Sequence, residues 1–389
     1  MKKKIAKGAS EGAGTVVLGT YDGAIIGLRA DTGAQIFGYA PHAGCVKAVS
    51  CSKSGRLASG GSDHSVRLFD LAKGVEIGEL QEHDDTVCSL DFWGASSFVT
   101  GGVDGQVCIW RCSDWELLLK FRGHKSALVD LAVHPSGRMM ASAGRDSSVR
   151  LWDLTRGTSA ALVSSEDVFE TIFWSPQGTR LAALSPKLLQ VVDAQSGAVG
   201  SYRDPNSGGF LRVTLSAAMF LREGEVILGD AKGFLRVVAF KKGAREQGEL
   251  VEVCRLQDDD ARVRIKSLAR ASEGGELKRG DSMTFALGTS SGRVEIWRFT
   301  APAPSNAASA DHFRRLRVVD TATRLTCMTF WHGDAHAARL TNPLEIDDDM
   351  DFEEGEEDEE LGEGDEEEED DVAEEEVKED PRLKKFRRK

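Results

Sequence analysis

A unit of about 40 residues repeats near the start of this chain. Three histidines stand 41 residues apart, and an aspartate follows each after 21 or 22 residues: His42 with Asp63, His83 with Asp104, and His124 with Asp146. Six residues after each aspartate comes an aromatic side chain, at Phe69, Trp110 and Trp152. Such a period, with four short apolar runs per unit, is typical of the blades of a β-propeller. The repeat predicts an all-β fold and favours binding over catalysis.

The residue types at these positions predict a hydrogen-bonded relay inside each blade. One unit divides into the runs VKAVSCS, RLASGG, SVRLFDL and EIGEL, each bounded by turn residues, so each predicts a strand. The histidine then precedes the first strand, a hydroxyl lies on the second strand, and the aspartate lies in the turn after it. The predicted relays are His42, Ser59 and Asp63; His83, Thr100, Asp104 and Trp110; and His124, Ser142, Asp146 and Trp152. Phe69 has no N–H, so the first relay is predicted to be one link shorter.

Fainter copies of the unit extend the pattern in both directions. The run GTYDGAIIGL, residues 19–28, predicts the second and third strands of an earlier blade. Later units place Pro186 near one aspartate position, Asp230 at another, and Trp297 as a closing aromatic. These copies predict seven blades in residues 15–333. Because the first blade lacks its first strand, we expect RLTCMTFW, residues 324–331, to supply it and to close the ring without an open sheet edge.

The net charge of −14 is divided unevenly along the chain. Residues 345–380 contain 25 Asp and Glu against one lysine, whereas residues 1–344 carry a charge of +4. A segment of such composition cannot bury enough apolar surface to fold, so residues 334–389 are predicted to form a disordered acidic tail. Three roles of the tail stay open: a solvating extension, a polyanion that shields basic partners, and a segment that folds back on basic loops of the propeller.

The last residues, PRLKKFRRK, form a predicted nuclear-targeting cluster composed of Arg382, Lys384, Lys385, Arg387, Arg388 and Lys389. The seven cysteines form no CxxC pair and several lie in apolar runs, which predicts reduced thiols in an intracellular protein. No apolar run is long enough to predict a membrane span. We predict no catalytic residues, metal site or cofactor, because the repeated histidines and aspartates occupy equivalent positions of successive blades and cannot converge.

The repeat resembles the WD40 β-propeller family, most clearly in GHKSALVDLAVHPSGRMMASAGRDSSVRLWDL, residues 123–154. Together with GTYDG and HAGCVKAVS, the more specific runs CSDWELL, HPSGR and RLWDLTRG resemble the PAK-interacting-protein subgroup, which includes the fungal factor Mak-eleven. The likeness covers most of residues 15–331 and is strongest through residue 160. The resemblance implies a nucleolar factor for assembly of the large (60S) ribosomal subunit and pre-rRNA processing. It also implies a link to inhibition of a p-twenty-one-activated kinase in animals.

Two functional hypotheses follow. In the first, the protein is a non-enzymatic scaffold in nuclear pre-ribosomes that binds assembly factors and basic ribosomal proteins, with an rRNA contact as a further expectation. In the second, it is a cytoplasmic adaptor that masks a kinase regulatory segment. A third class, the substrate receptor of a ubiquitin ligase, has little support, because such receptors favour arginine where Thr155 follows the Trp-Asp pair.

Partner binding is expected at one end of the ring. The candidate residues precede the turn aspartates or follow a relay histidine: Tyr21, Ser62, Val103, Arg145 and Lys125. We expect the protein to be monomeric outside its complex and to have no membrane partner.

Overall fold

The computed structural model describes residues 14–93, 96–164, 167–203, 214–242, 248–256, 263–271, 277–302 and 307–331. Within these ranges the chain forms 28 β-strands and one short 3-10 helix, Ala310–His312. The strands group into seven antiparallel sheets of four strands each. This arrangement confirms the predicted all-β propeller with seven blades. The predicted acidic tail and the basic cluster at the C-terminus lie outside the described residues.

The blades, named A to G in ring order, have the following strands. Blade A comprises β28 (Leu325–Trp331), β1 (Thr15–Thr20), β2 (Ile25–Arg29) and β3 (Gln35–Tyr39). Blade B comprises β4 (Val46–Cys51), β5 (Arg56–Gly61), β6 (Val66–Asp70) and β7 (Val75–Leu80). Blade C comprises β8 (Val87–Trp93), β9 (Ser97–Gly102), β10 (Gln106–Arg111) and β11 (Leu117–Arg122). Blade D comprises β12 (Leu128–Val133), β13 (Met139–Gly144), β14 (Ser148–Asp153) and β15 (Thr158–Ser164).

The second half of the ring continues the same order. Blade E comprises β16 (Thr171–Trp174), β17 (Arg180–Leu184), β18 (Leu189–Asp193) and β19 (Val199–Tyr202). Blade F comprises β20 (Leu215–Arg222), β21 (Glu225–Asp230), β22 (Leu235–Lys242) and β23 (Gly248–Leu256). Blade G comprises β24 (Ile265–Arg270), β25 (Ser282–Thr289), β26 (Arg293–Thr300) and β27 (Phe313–Asp320). The first strands of successive blades contact one another around the central channel.

Blade A joins the two ends of the propeller. Strand β28 pairs antiparallel with β1, with Thr15 opposite Trp331 and Gly19 opposite Cys327. The prediction that residues 324–331 supply the missing first strand is therefore confirmed, with the strand beginning at Leu325. The run at residues 19–28 contributes to β1 and β2, which are the second and third strands of blade A, as predicted. Because of this pairing, the inner part of the ring has no missing strand.

The hydrophobic core lies between neighbouring blades. One cluster, for example, packs Val99 of blade C against Leu128 and Trp152 of blade D. Glycine is needed near the ends of two second strands, because a Cβ at Gly60 would lie 2.6 Å from Val87 and one at Gly101 would lie 2.2 Å from Leu128. Glycine at these two positions therefore lets the second strand approach the next blade closely.

Candidate binding face

Blades B, C and D each contain a relay at one end of the ring. In blade B, Nδ1 of His42 lies 3.0 Å from Oδ1 of Asp63, and Nε2 lies 2.7 Å from Oγ of Ser59. A carboxylate only accepts hydrogen bonds, so Nδ1–H donates to Asp63 and Nε2 accepts from the Ser59 hydroxyl. The backbone N–H groups of Ala43 and Ser65 also donate to the carboxylate. The relay thus ties the loop before the blade to the turn after its second strand.

The relays of blades C and D have the same geometry and add an indole. In blade C, Nδ1 of His83 lies 3.1 Å from Oδ2 of Asp104, and Nε2 lies 2.8 Å from Oγ1 of Thr100. The indole N–H of Trp110 donates to the same Thr100 oxygen at 3.0 Å. In blade D the corresponding distances are 3.1, 2.8 and 2.8 Å, for His124 to Asp146, His124 to Ser142, and Trp152 to Ser142.

The blade B relay ends at the serine. Phe69 occupies the position of the two tryptophans and has no N–H to donate. Its buried ring instead lies 4.4 Å from the ring of Tyr39. The relay in this blade is therefore one link shorter, and aromatic packing takes the place of the missing hydrogen bond.

The electrostatics of the relays suit a structural role. Burial lowers the pKa of the His42 and His124 imidazoles, although the paired aspartates act in the opposite direction. Burial also disfavours the ionised form of Asp146. Hydrogen bonds from the Ser148 hydroxyl, the Lys125 N–H and His124 outweigh this effect and lower the pKa of the Asp146 carboxyl to about 2. At neutral pH the relay of blade D therefore holds a neutral imidazole beside a carboxylate, a stable hydrogen-bonded pair.

The other four blades close the same turn without a histidine. A side chain at or next to the end of the second strand accepts a backbone N–H across the turn in each: Thr20 from Ala24, Ser185 from Leu188, Asp230 from Phe234, and Thr289 from Arg293. The relay blades have glycine at this position. A Cβ at Gly61 would lie 2.4 Å from Nδ1 of His42, so the relay and a capping side chain exclude each other.

The prediction that Asp230 is a turn aspartate of the relay type is wrong. The relay aspartate Asp63 lies two residues beyond the end of its strand, whereas Asp230 is the last residue of β21. Asp230 is buried there because its Oδ2 accepts a hydrogen bond at 3.0 Å from the equally buried Arg236. A buried carboxylate is stable only with such a partner. The sequence spacing around Asp230 did not reveal this partner.

The predicted partner-binding residues occupy equivalent positions in the turns. The backbone N–H of each donates to the residue just before the first strand of its blade, at 2.8–2.9 Å: Tyr21 to Arg324, Ser62 to Cys45, Val103 to Thr86, and Arg145 to Ala127. We call the end of the ring formed by these turns and loops the turn face. Lys125 lies on it as well, because its N–H donates to Asp146 at 2.8 Å. The side chains of Tyr21, Lys125 and Arg145 are exposed. Their role in binding remains a prediction.

A ring of β-bulges lies at the same end, where the first strands begin. In six blades the second residue of the first strand is skipped in the pairing with the second strand. We call these six residues the collar: Thr326, Lys47, Cys88, Val129, Ser216 and Lys266. A bulge redirects a side chain away from the regular alternation of a strand. Sequence analysis missed Lys47 and Lys266, because no residue type marks a bulge. Only their fixed sequence distance from the turns could have indicated that they lie at bulges.

The central channel contains a cavity of about 1000 Å³ toward the opposite ends of the first strands. Asp91 and Asp130 line it and connect three blades. Oδ1 of Asp130 accepts the Ser89 hydroxyl of blade C at 2.7 Å, and Oδ2 accepts the Ile172 N–H of blade E at 2.9 Å. Burial raises the pKa of Asp91 to about 7 and that of Asp130 to about 6. These carboxyls satisfy backbone N–H groups on the channel side of the first strands, where no further strand can pair.

The cysteines lie apart from any recognisable reactive site. All seven are free thiols, and burial raises the pKa of Cys108 and Cys327 to about 12. In the part of the chain that the structure describes, no group of His, Cys, Asp and Glu could hold a metal ion. None of the helices in the same ranges has the length and apolar character needed to cross a membrane.

Comparison with known proteins agrees with this architecture. The model of the family described as "WD domain, G-beta repeat" matches residues 33–70, 74–111 and 115–153. "p21-activated protein kinase-interacting protein 1-like" of Danio rerio is 28% identical over 81% of this chain and 80% of its own length. "Shk1 kinase-binding protein 15" of Schizosaccharomyces pombe is 29% identical over 41% and 48%. "Protein MAK11" of Saccharomyces cerevisiae is 25% identical over 33% and 37%.

Removing a relay aspartate should lower stability. We expect Asp146→Ala to reduce the free energy of unfolding by about 1–3 kcal/mol, because the buried imidazole of His124 and the N–H of Lys125 lose their acceptor. Lys187→Ala is the matched control, since Lys187 holds the corresponding turn position in blade E, where there is no relay. Urea denaturation measures both. Equal stability of the Asp146→Ala protein and the control would show that the relay contributes nothing.

The channel carboxyl should make stability depend on pH. The pKa of Asp130 is raised in the folded state above about 3.9 in the unfolded chain, so its contribution to stability is present at low pH and is lost as pH rises through about 6. Between about pH 5 and pH 8, the wild type should lose about 1 kcal/mol relative to Asp130→Asn. Asp153→Asn, at a partly exposed turn position, is the control and should show no such trend, because the pKa of Asp153 is lowered. A difference that stays constant with pH would contradict the buried state of Asp130.

Proposed function

The chain is a WD40-repeat protein that resembles the PAK-interacting-protein and Mak-eleven subgroup, and from this premise we propose that it is a scaffold in nucleolar assembly of the large (60S) ribosomal subunit and in pre-rRNA processing. The proposal includes no catalytic step. The observation that supports it most directly is the turn face, where backbone hydrogen bonds and relays fix loops of several blades at one end of a closed ring. A rigid surface assembled from many short turns suits the binding of a macromolecule.

The charges of the turn face indicate how it would engage a partner. Lys125 and Arg145 extend from neighbouring loops of blade D and are both exposed. Long cations at such positions pair with carboxylates or phosphates, and the guanidinium of Arg145 can form two parallel hydrogen bonds. Tyr21, Ser62 and Val103 complete the proposed surface at the equivalent positions of blades A, B and C. The proposed partners are pre-60S assembly factors and ribosomal proteins.

The acidic and basic segments at the C-terminus extend this proposal. We propose that the acidic residues 345–380 shield basic assembly proteins, and that the cluster from Arg382 to Lys389 directs the protein to the nucleus and nucleolus. Both segments lie outside the described residues, so composition alone supports these roles. The competing proposal for the acidic segment is that it acts only as a solvating extension.

A second candidate function comes from the names of two relatives. The Danio rerio protein is named as an interactor of a p21-activated kinase, and the Schizosaccharomyces pombe protein as a binder of Shk1 kinase. By this alternative, the propeller is a signalling adaptor that binds and inhibits a kinase regulatory segment. Cellular location separates the candidates, because a pre-ribosomal scaffold concentrates in the nucleolus.

Affinity purification of the tagged full-length protein tests the proposal. We expect precursor rRNA and large-subunit proteins to co-purify, and we expect Lys125→Glu combined with Arg145→Glu to reduce their recovery about tenfold, equivalent to about 1.4 kcal/mol of binding. Lys73→Glu with Arg156→Glu is the matched control, because both residues are exposed in turns between third and fourth strands, at the opposite end of the ring. Recovery of a kinase without precursor rRNA would favour the alternative function. Full recovery with the first pair of substitutions would remove both residues from the interface.

A further inference from the structure

Four cations gather where blades G, A and B meet at the turn face. Lys47 and Lys266 are the collar residues of blades B and G, and they flank blade A on its two sides. Arg264 and Arg324 precede the first strands of blades G and A. Three of these side chains are exposed, and Lys266 is half-buried. Two bulges and two loop ends of adjacent blades thus bring positive charge to one sector of the ring.

The positive charges in this sector repel one another. Burial, and then the nearby charges of Arg264 and Lys47, lower the pKa of Lys266. Glu170 of blade E attracts Lys266 but forms no salt bridge with it, and none of the four cations has a salt-bridge partner in the described ranges. Like charges held close without a counter-ion destabilise the fold, so an anion that binds between them gains their combined attraction.

An exposed aromatic ring lies against one of these cations. The side chain of Tyr21 is 53% exposed, although a tyrosine can usually bury its ring. The guanidinium carbon of Arg324 lies 4.9 Å from the centre of this ring, and the Tyr21 N–H donates to the Arg324 carbonyl. Both groups are therefore held in place by the closure of blade A. An aromatic ring beside a row of cations is the arrangement with which proteins bind single-stranded nucleic acids.

We propose that Lys47, Lys266 and Arg264 bind the phosphates of single-stranded RNA while one base stacks on Tyr21. An acidic peptide would pair with the cations but would gain little from the exposed ring, so the combination favours RNA. The exposed Asp22 beside Tyr21 disfavours close approach of phosphate there and leaves that position to a base. The inference rests on the proposed function only in that precursor rRNA would supply such strands.

Fluorescence anisotropy with labelled oligouridylate of about 12 nucleotides tests the site in the full-length protein. Binding should weaken steeply between about 50 and 200 mM KCl. Lys47→Gln with Lys266→Gln should raise Kd at least about fivefold and should reduce the slope of log Kd against log salt by about 1.4, because two phosphate contacts are lost. Lys73→Gln with Arg156→Gln changes the net charge equally at the opposite end and should leave the slope unchanged. An unaltered slope in the first variant would overturn the proposal.

Tyr21→Leu distinguishes RNA from other polyanions. It should weaken oligouridylate binding about fivefold or more, because stacking is lost, while the salt slope stays the same. Labelled oligoglutamate is the comparison ligand. Oligoglutamate binding that depends on Lys47 and Lys266, without oligouridylate binding, would assign the site to an acidic protein segment and contradict the proposal.

The chain itself contains three consecutive aspartates that would compete with RNA for these cations. Asp258, Asp259 and Asp260 lie just before Arg264 and outside the described residues. RNA that binds only after all three are changed to Asn would show that the chain supplies its own counter-ion, and this result would also overturn the proposal. Melting temperatures should be unchanged or raised in Lys266→Gln, because like-charge repulsion is relieved. Loss of RNA binding in these tests would not imply loss of co-purification with pre-ribosomes, so the two proposals can fail separately.

Discussion

The hydrogen bonds between β1 and β28 join two segments that are about 300 residues apart, and the rest of the propeller depends on them. Thr326 and Gly19, which meet in this pair, are separated by 307 residues. Without β28, the edge of β1 would be free to pair with another chain. With it, every first strand faces the channel and every blade packs between two neighbours. The hydrophobic clusters between blade A and its two neighbours contain Leu325, Met328 and Trp331 of β28, so these clusters are complete only when the ring closes.

Closure also determines the geometry of the turn face. In six blades the turn after the second strand donates a backbone hydrogen bond to the residue before the first strand, and in blade A this tie joins Tyr21 to Arg324 across the chain ends. The relays of blades B, C and D add buried side-chain hydrogen bonds to the same connection. Loops fixed in this way lose little conformational entropy on binding. A rigid ring with a charged, preorganised end therefore suits a scaffold that holds a macromolecular partner.

The sequence predicted those features that repeat with a fixed period. The relays of blades B to D follow from the spacing of His, Asp and Trp, and the closing strand follows from the missing member of the first blade. In contrast, blade E has Pro186, which has no N–H, at the position where Tyr21 and Arg145 donate one, and Ser185 caps its turn instead. Asp230 was misassigned because its partner, Arg236, lies on the next strand and leaves no periodic signal.

The candidate site was predictable only in part, for a related physical reason. Tyr21, Lys125 and Arg145 could be placed because their positions are defined by the repeat. Lys47 and Lys266 could not, because their orientation depends on bulges that arise when first and second strands pair. Asp91 and Asp130 likewise acquire their role only when three first strands come together around the channel. Interactions that cross between blades are determined by tertiary packing and have no local sequence signature.

Hydrogen exchange of the backbone amides in β1 and β28 tests ring closure most directly. If the two strands pair in the native state, the amides within Val16 to Gly19 and Cys327 to Phe330 that donate across this pair should exchange as slowly as those in the interior of blade C, since all of them open only with global unfolding. Strands β9 and β10 provide the internal reference. Rapid exchange of these cross-strand amides, beside protected amides in blade C, would show that the ring is open and would contradict the account of the fold and of the face built on it.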